Sequence, residues 1–204
     1  PEHLSMYSLG IEDGTPMQRW VQRGQVEAPD PDLAAEMFEW GSDRLARAGY
    51  VQYEISNWAR PGFECAHNLQ YWRDLPYLGL GAGAHGYAAG RRYATVLHPA
   101  TYIARIEGQA GPLPFPETAA WDESEIIGPD DELTEIMILG LRLTQDGVSG
   151  QAFRARTGRD LWATYGPTIA RLTEAGLLER VGTDGVRLTP RGRLLGNQVF
   201  AAFV

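Results

Sequence analysis

Lysine is missing altogether: all 18 basic residues are arginine. That reads as a coding bias of the source and carries no functional message. Cysteine is nearly missing. The single thiol, Cys65, excludes an internal disulfide and suits a reducing cytoplasm, the expected location. No apolar run approaches the ~18 residues of a membrane helix. No charged, apolar and small-residue signal segment opens the chain, so secretion is not expected. There is no initiator methionine either. Pro1-Glu2-His3-Leu4 leads straight into alternating apolar positions, as in a piece of a longer protein. Internal repeats and low-complexity tracts are also absent.

What is there suffices for a core: 204 residues, 44% of them hydrophobic, compatible with one or two domains. The net charge of −8 is unevenly spread. Residues 1–150 hold 10 Arg against 22 acidic residues, and residues 151–204 hold 8 Arg against 4. The acidic bulk argues against a dedicated nucleic-acid binder. The basic tail keeps that idea open locally.

Leu4 to Leu9 reads as a short strand ended by Gly10 and Asp13-Gly14. Asp30-Pro31 is a helix start, with Asp30 as cap. Leu33, Met37, Trp40, Gly41, Leu45 and Ala48 then recur at helical spacing up to Gly49. Tyr50 to Ile55 reads as a strand. The strand–helix–strand order predicts a parallel βαβ unit. After Asn57 the pattern is irregular; Tyr77 to Leu80 reads as a short strand and Tyr102 to Glu107 as a brief helix. Pro112, Pro114 and Pro116 open an expected linker over 112–130. Beyond it come helices over Leu133–Thr144, Ser149–Thr157 and Leu161–Gly176. A hairpin follows around Thr183-Asp184-Gly185, then a last helix from Thr189-Pro190. Helices, hairpin and helix suggest a winged-helix-like domain over 131–204, either a nucleic-acid-binding module or a structural lid.

Three features carry candidate chemistry. Glu54 and Asn57 stand at a strand end, where α/β barrels gather ligands, and Gly10 stands at another. Glu54 has a bland reading as an interior charge. Gly79, Gly81, Gly83 and Gly86 form a glycine-rich run, either a ligand cradle or a packing device. It lacks the following helix of a dinucleotide fingerprint. His67, with Tyr71 and Trp72, suits a flat aromatic ligand or a haem iron, and Asn68 a propionate or the His67 tautomer. The alternative is a surface turn with a capped histidine and two core aromatics. Cys65 and His67 alone make no metal site.

Three segments resemble one family in order: Tyr53-Glu54-Ile55-Ser56-Asn57-Trp58-Ala59-Arg60-Pro61-Gly62; His67-Asn68-Leu69-Gln70-Tyr71-Trp72; and Tyr77-Leu78-Gly79-Leu80-Gly81-Ala82-Gly83-Ala84-His85. Together with His3 to Leu9, Gly176-Leu177-Leu178-Glu179 and Leu188-Thr189-Pro190-Arg191-Gly192, they resemble the HemW branch of the oxygen-independent coproporphyrinogen III oxidase family of radical S-adenosylmethionine proteins.

That resemblance covers nearly the whole chain. It implies an α/β fold: the C-terminal strands and helices of an incomplete (β/α) barrel over 1–111, then the small, mainly helical domain. It implies haem contact by His67, Asn68, Tyr71 and Trp72, with His67 as candidate iron ligand. It places Gly10, Gly79, Gly81, Ala84 and His85 near the S-adenosylmethionine pocket, and Glu54 and Asn57 are grouped with them. The 4Fe-4S cluster belongs to the full-length parent. With one thiolate, this chain holds no cluster ligands and is expected to perform no radical chemistry alone. The implied role is a haem chaperone passing haem or a porphyrin to an acceptor protein. The alternative is oxidative decarboxylation of coproporphyrinogen propionates. An open sheet edge at Leu4 to Leu9 predicts oligomerisation.

Overall fold

The computed structural model describes residues 1–204. The chain divides into two compact units, Pro1–Cys65 and Ala66–Val204. Both mix helices with small, unclosed sheets. No helix is long and apolar enough to cross a membrane.

The first unit comprises β1 (His3–Ser5), α1 (Pro16–Gln22), α2 (Pro31–Arg47), β2 (Val51–Glu54) and β3 (Asn57–Ala59). Helix α2 begins as its residues dictate. The Asp30 carboxylate accepts from the Asp32 and Leu33 amides, and Pro31, which has no amide to satisfy, takes the first helical position. The predicted parallel pairing does not form. Strand β3, absent from the sequence reading, lies between β1 and β2 and runs antiparallel to both. The cause is local. Glu54 Oε1 accepts from the Ser56 amide at 3.1 Å and from Asn57 Nδ2, which closes a tight turn and folds Asn57–Ala59 back into the sheet. Trp58 is buried, and Phe38 of α2 meets it edge-on at 5.5 Å.

The second unit starts with α3 (Ala66–Trp72), so the His67–Trp72 stretch, which falls where the sequence pattern is irregular, is a helix. An antiparallel meander follows: β4 (His85–Ala88), β5 (Arg91–Thr95) and, after α4 (Pro99–Glu107), β6 (Trp121–Ile126). Tyr77 forms only an isolated bridge to Tyr87. Strand β6 lies inside the stretch expected to be a linker. Its acidic, exposed residues conceal it from a pattern search. The β5 ladder holds it, along with a Tyr93–Trp121 ring stack at 4.3 Å and an Arg91–Ser124 hydrogen bond.

The remaining elements are α5 (Pro129–Gly140), α6 (Gly150–Thr157), α7 (Leu161–Glu174), the β7 (Leu178–Val181)–β8 (Gly185–Leu188) hairpin, α8 (Pro190–Leu194) and α9 (Gly196–Phe200). Ser149, Asp160 and Thr189 cap α6, α7 and α8 through their side-chain oxygens. The expected last helix breaks in two at Leu195. Met137, Leu141, Phe153, Leu161, Val186 and Val199 form a fully buried core.

Candidate functional site

Helix geometry sorts the side chains of α3. At about 100° per residue, Tyr71 lies about 40° round from His67, whereas Trp72 lies about 140° away. The coordinates follow this division. The Tyr71 hydroxyl stands 2.9 Å from His67 Nε2, with the two rings edge to face at 4.8 Å. Tyr77 meets Tyr71 edge-on at 4.5 Å, completing a three-ring ladder. His67 is exposed, and Tyr71 and Tyr77 are half-buried. Burial pushes the Tyr77 phenol above its ordinary pKa. Asn68 is half-buried.

Trp72 turns the other way. The Arg142 guanidinium lies 4.4 Å over its ring, a cation–π contact. Trp72 also lines a largely apolar cavity of about 390 Å³ with Ile136, Leu143, Val148 and Phe153. Its buried indole Nε1 has no hydrogen-bond partner. Thus His67 and Tyr71 are brought together, and Trp72 serves to dock α3 against the helices that follow.

The end of α3 is fastened by residues that sequence reading missed. Arg156 of α6 donates from Nη2 to Asp74 Oδ2 at 2.6 Å, from Nη1 to the Asp74 carbonyl at 2.8 Å, and from Nε to Glu132 Oε1 at 2.8 Å. Asp74 is buried and adopts φ of 50°, a backbone region that Asp and Asn tolerate better than most residues. Burial raises its carboxyl pKa to about 6, against the opposing pull of Arg156. No local pattern announces a partner 82 positions away.

The glycine-rich run packs closely at two of its glycines. A Cβ on Gly79 would lie 2.3 Å from the His85 carbonyl oxygen, and one on Gly86 2.1 Å from the Tyr93 ring. The amides of Gly79, Gly81 and Ala84 donate to Tyr93 Oη, Tyr102 Oη and Thr95 Oγ1, so all three are engaged within the protein. His85 is exposed, beside a polar cleft of about 360 Å³ with Arg92, Glu123 and Glu125. Strand register sets His85, Ala94 and Glu123 in one row, with the small Ala94 between them.

Gly10, Glu54 and Asn57 belong to the first unit, and the other expected site residues to the second. Gly10 is exposed. Glu54 is fully buried; its Oε2 has no partner, and Asn57 Oδ1 accepts from Ser5 Oγ. This polar string ties all three strands of the first sheet. Cys65 is a free thiol, and no group of three or more His, Cys, Asp or Glu side chains is placed to hold a metal ion. In the basic tail, Arg154, Arg156, Arg159 and Arg187 are ion-paired and Arg180 stacks over Trp162 at 4.3 Å. The ion pairs offset part of the tail's positive charge, and the ring contact leaves the charge of Arg180 in place.

Comparisons with known proteins converge. The model of the HemN C-terminal domain family matches residues 127–195. The haem chaperone HemW of Bacillus subtilis is 37% identical over 203 residues, covering 100% of this chain and 51% of that protein. HemW of Mycobacterium tuberculosis (strain H37Rv) is 39% identical over 198 residues, 97% of this chain and 46% of that protein. The mitochondrial radical S-adenosyl methionine domain-containing protein 1 of Bos taurus is 35% identical over 192 residues, 87% of this chain and 40% of that protein. Among solved structures, coproporphyrinogen III oxidase (HemN) from Escherichia coli, described as a radical SAM enzyme, matches with a TM-score of 0.70 at 20% identity, over 100% of this chain and 48% of that one. At that identity the likeness shows the fold alone. The chain spans about half the length of the curated relatives it matches.

Proposed function

This chain corresponds to the C-terminal part of the HemW and HemN family, and on that premise we propose that it carries the haem-contacting half of a haem chaperone. The observation that carries the reading is the exposed imidazole of His67 on α3, backed by Tyr71, in a chain matched almost end to end by haem chaperones. Imidazole is a common axial ligand of haem iron, and an exposed edge of aromatic rings suits a macrocycle. Haem is the cargo here. It binds through His67, Tyr71 lies beside the coordinating nitrogen, and the Asp74–Arg156 anchor holds α3 in place.

The chaperone is preferred to the oxidative decarboxylase because the relatives that match nearly the whole chain bear the chaperone name. The oxidase shares 20% identity. S-adenosylmethionine and a 4Fe-4S cluster would serve the full-length protein, with the cluster on thiolates that this chain lacks. Within the second unit, Gly79, Gly81, Ala84 and His85 would border the S-adenosylmethionine pocket, His85 by its open side chain. The test is haem titration of the full-length protein followed at the Soret band. His67→Ala is expected to lower affinity at least about tenfold, the scale of one lost coordinating ligand. Unchanged affinity and an unchanged spectrum would refute the reading.

A further inference from the structure

The atom that would meet the iron is already engaged. His67 Nε2 lies 2.9 Å from the Tyr71 hydroxyl. Two proton arrangements satisfy that contact. In one, the phenol donates to the Nε2 lone pair and the ring proton sits on Nδ1. In the other, Nε2 carries the proton and donates to the phenol oxygen. In neither is the Nε2 lone pair available to a metal. Coordination at Nε2 must break this hydrogen bond, and in the second arrangement it must also move a proton to Nδ1 or to solvent. No electrons are exchanged.

The hydroxyl is presented from a firm backing. Tyr71 packs edge-on against Tyr77, whose backbone is bridged to Tyr87 by a reciprocal pair of hydrogen bonds of 2.7 and 2.9 Å. The chain just after α3 is fastened by Arg156 through Asp74. Swinging the Tyr71 ring away would cost its contacts on both sides, with His67 and with Tyr77.

We infer that Tyr71 is a positioning residue that competes with haem iron for His67 Nε2 and so sets how readily the cargo leaves. The inference rests on the reading of His67 as the iron ligand. A carrier must release what it binds, and an internal hydrogen bond that re-forms on departure offsets part of the coordination energy without obstructing access. The competing bond is neutral and partly exposed, so its net worth is modest.

The test uses the full-length protein with ferric haem, measuring Soret titration and the rate of capture by excess apomyoglobin. Tyr71→Phe keeps the ring and removes the hydroxyl. It is expected to bind haem roughly 2- to 10-fold tighter and release it correspondingly more slowly, with the axial-ligand spectrum of the wild type. Tyr77→Phe removes a hydroxyl from the same ladder without touching Nε2, and is expected to change neither quantity. Equal or weaker affinity in Tyr71→Phe overturns the inference, whether because iron uses Nδ1 or because Tyr71 itself binds iron. Equal tightening in Tyr77→Phe overturns it too, because loosening of the ring ladder would then be the cause. If His67→Ala keeps full affinity, the reading of His67 fails, whatever Tyr71→Phe does. If His67→Ala loses affinity while Tyr71→Phe matches the wild type, only the present inference fails.

Discussion

Helices α2 and α5 carry the same kind of apolar periodicity and meet opposite fates. On α2, Leu33, Met37 and Trp40 are 53%, 65% and 70% exposed. On α5, Leu133 and Met137 are 4% and 0% exposed. Leu33 and Met37 of α2 line an open groove of about 600 Å³ with Met6, Tyr7 and Leu9. Leu133 and Met137 of α5 are buried, and the helix packs against α3 and α6. Periodicity therefore states which face of a helix seeks cover, and packing partners decide whether it finds any. Burial converts the same side chain into very different amounts of stability.

Methionine allows the sharpest test, because each helix has one on its apolar face. Met137→Ala should cost about 2–5 kcal/mol in denaturant unfolding, the range for a buried large-to-small change. Comparable losses from Met37→Ala would break the comparison.

The second prediction concerns charge buried in the second unit. Asp74 has a carboxyl pKa near 6, raised chiefly by desolvation. The folded state therefore holds this proton more tightly than the unfolded chain. The stabilising contribution is full below about pH 4 and is lost as pH rises through 6, reaching a cost on the order of 2–3 kcal/mol at neutral pH. Asp74→Asn tolerates the same backbone conformation and cannot titrate. Between pH 4 and 7 the wild type should lose stability relative to this variant. Parallel pH profiles for the two proteins would sink the idea.

The smallest effect belongs to the first unit. Met37→Ala, on an exposed face, should shift the unfolding free energy by less than about 0.5 kcal/mol. A loss above about 1.5 kcal/mol would show that α2 is covered in solution.

Much of the fold was legible because its signals are local. Asp30 with Pro31, Ser149 and Thr189 mark helix starts through bonds that span only two or three residues. Asp184-Gly185 marks a turn for the same reason. Strand β3 was not legible, because three residues give no period. Strand β6 was not, because Asp122, Glu123, Ser124 and Glu125 leave both faces polar between Trp121 and Ile126. The candidate site divides likewise. His67 and Tyr71 could be named from the motif. The separation of Trp72 from them became visible only once the stretch proved helical, and the Asp74–Arg156 anchor has no sequence signature at all.

The amino-acid sequence by itself determined the helix caps, the family and the presence of an imidazole beside a phenol four residues on. Each follows from short-range chemistry or from motif order along the chain. Tertiary structure alone decided that β3 takes β1 as its second neighbour, that Tyr93 closes on Gly79, and that Arg156 anchors Asp74 at the end of α3. Those outcomes depend on hydrogen bonds between residues far apart in the chain, whose geometry exists only after the backbone has folded.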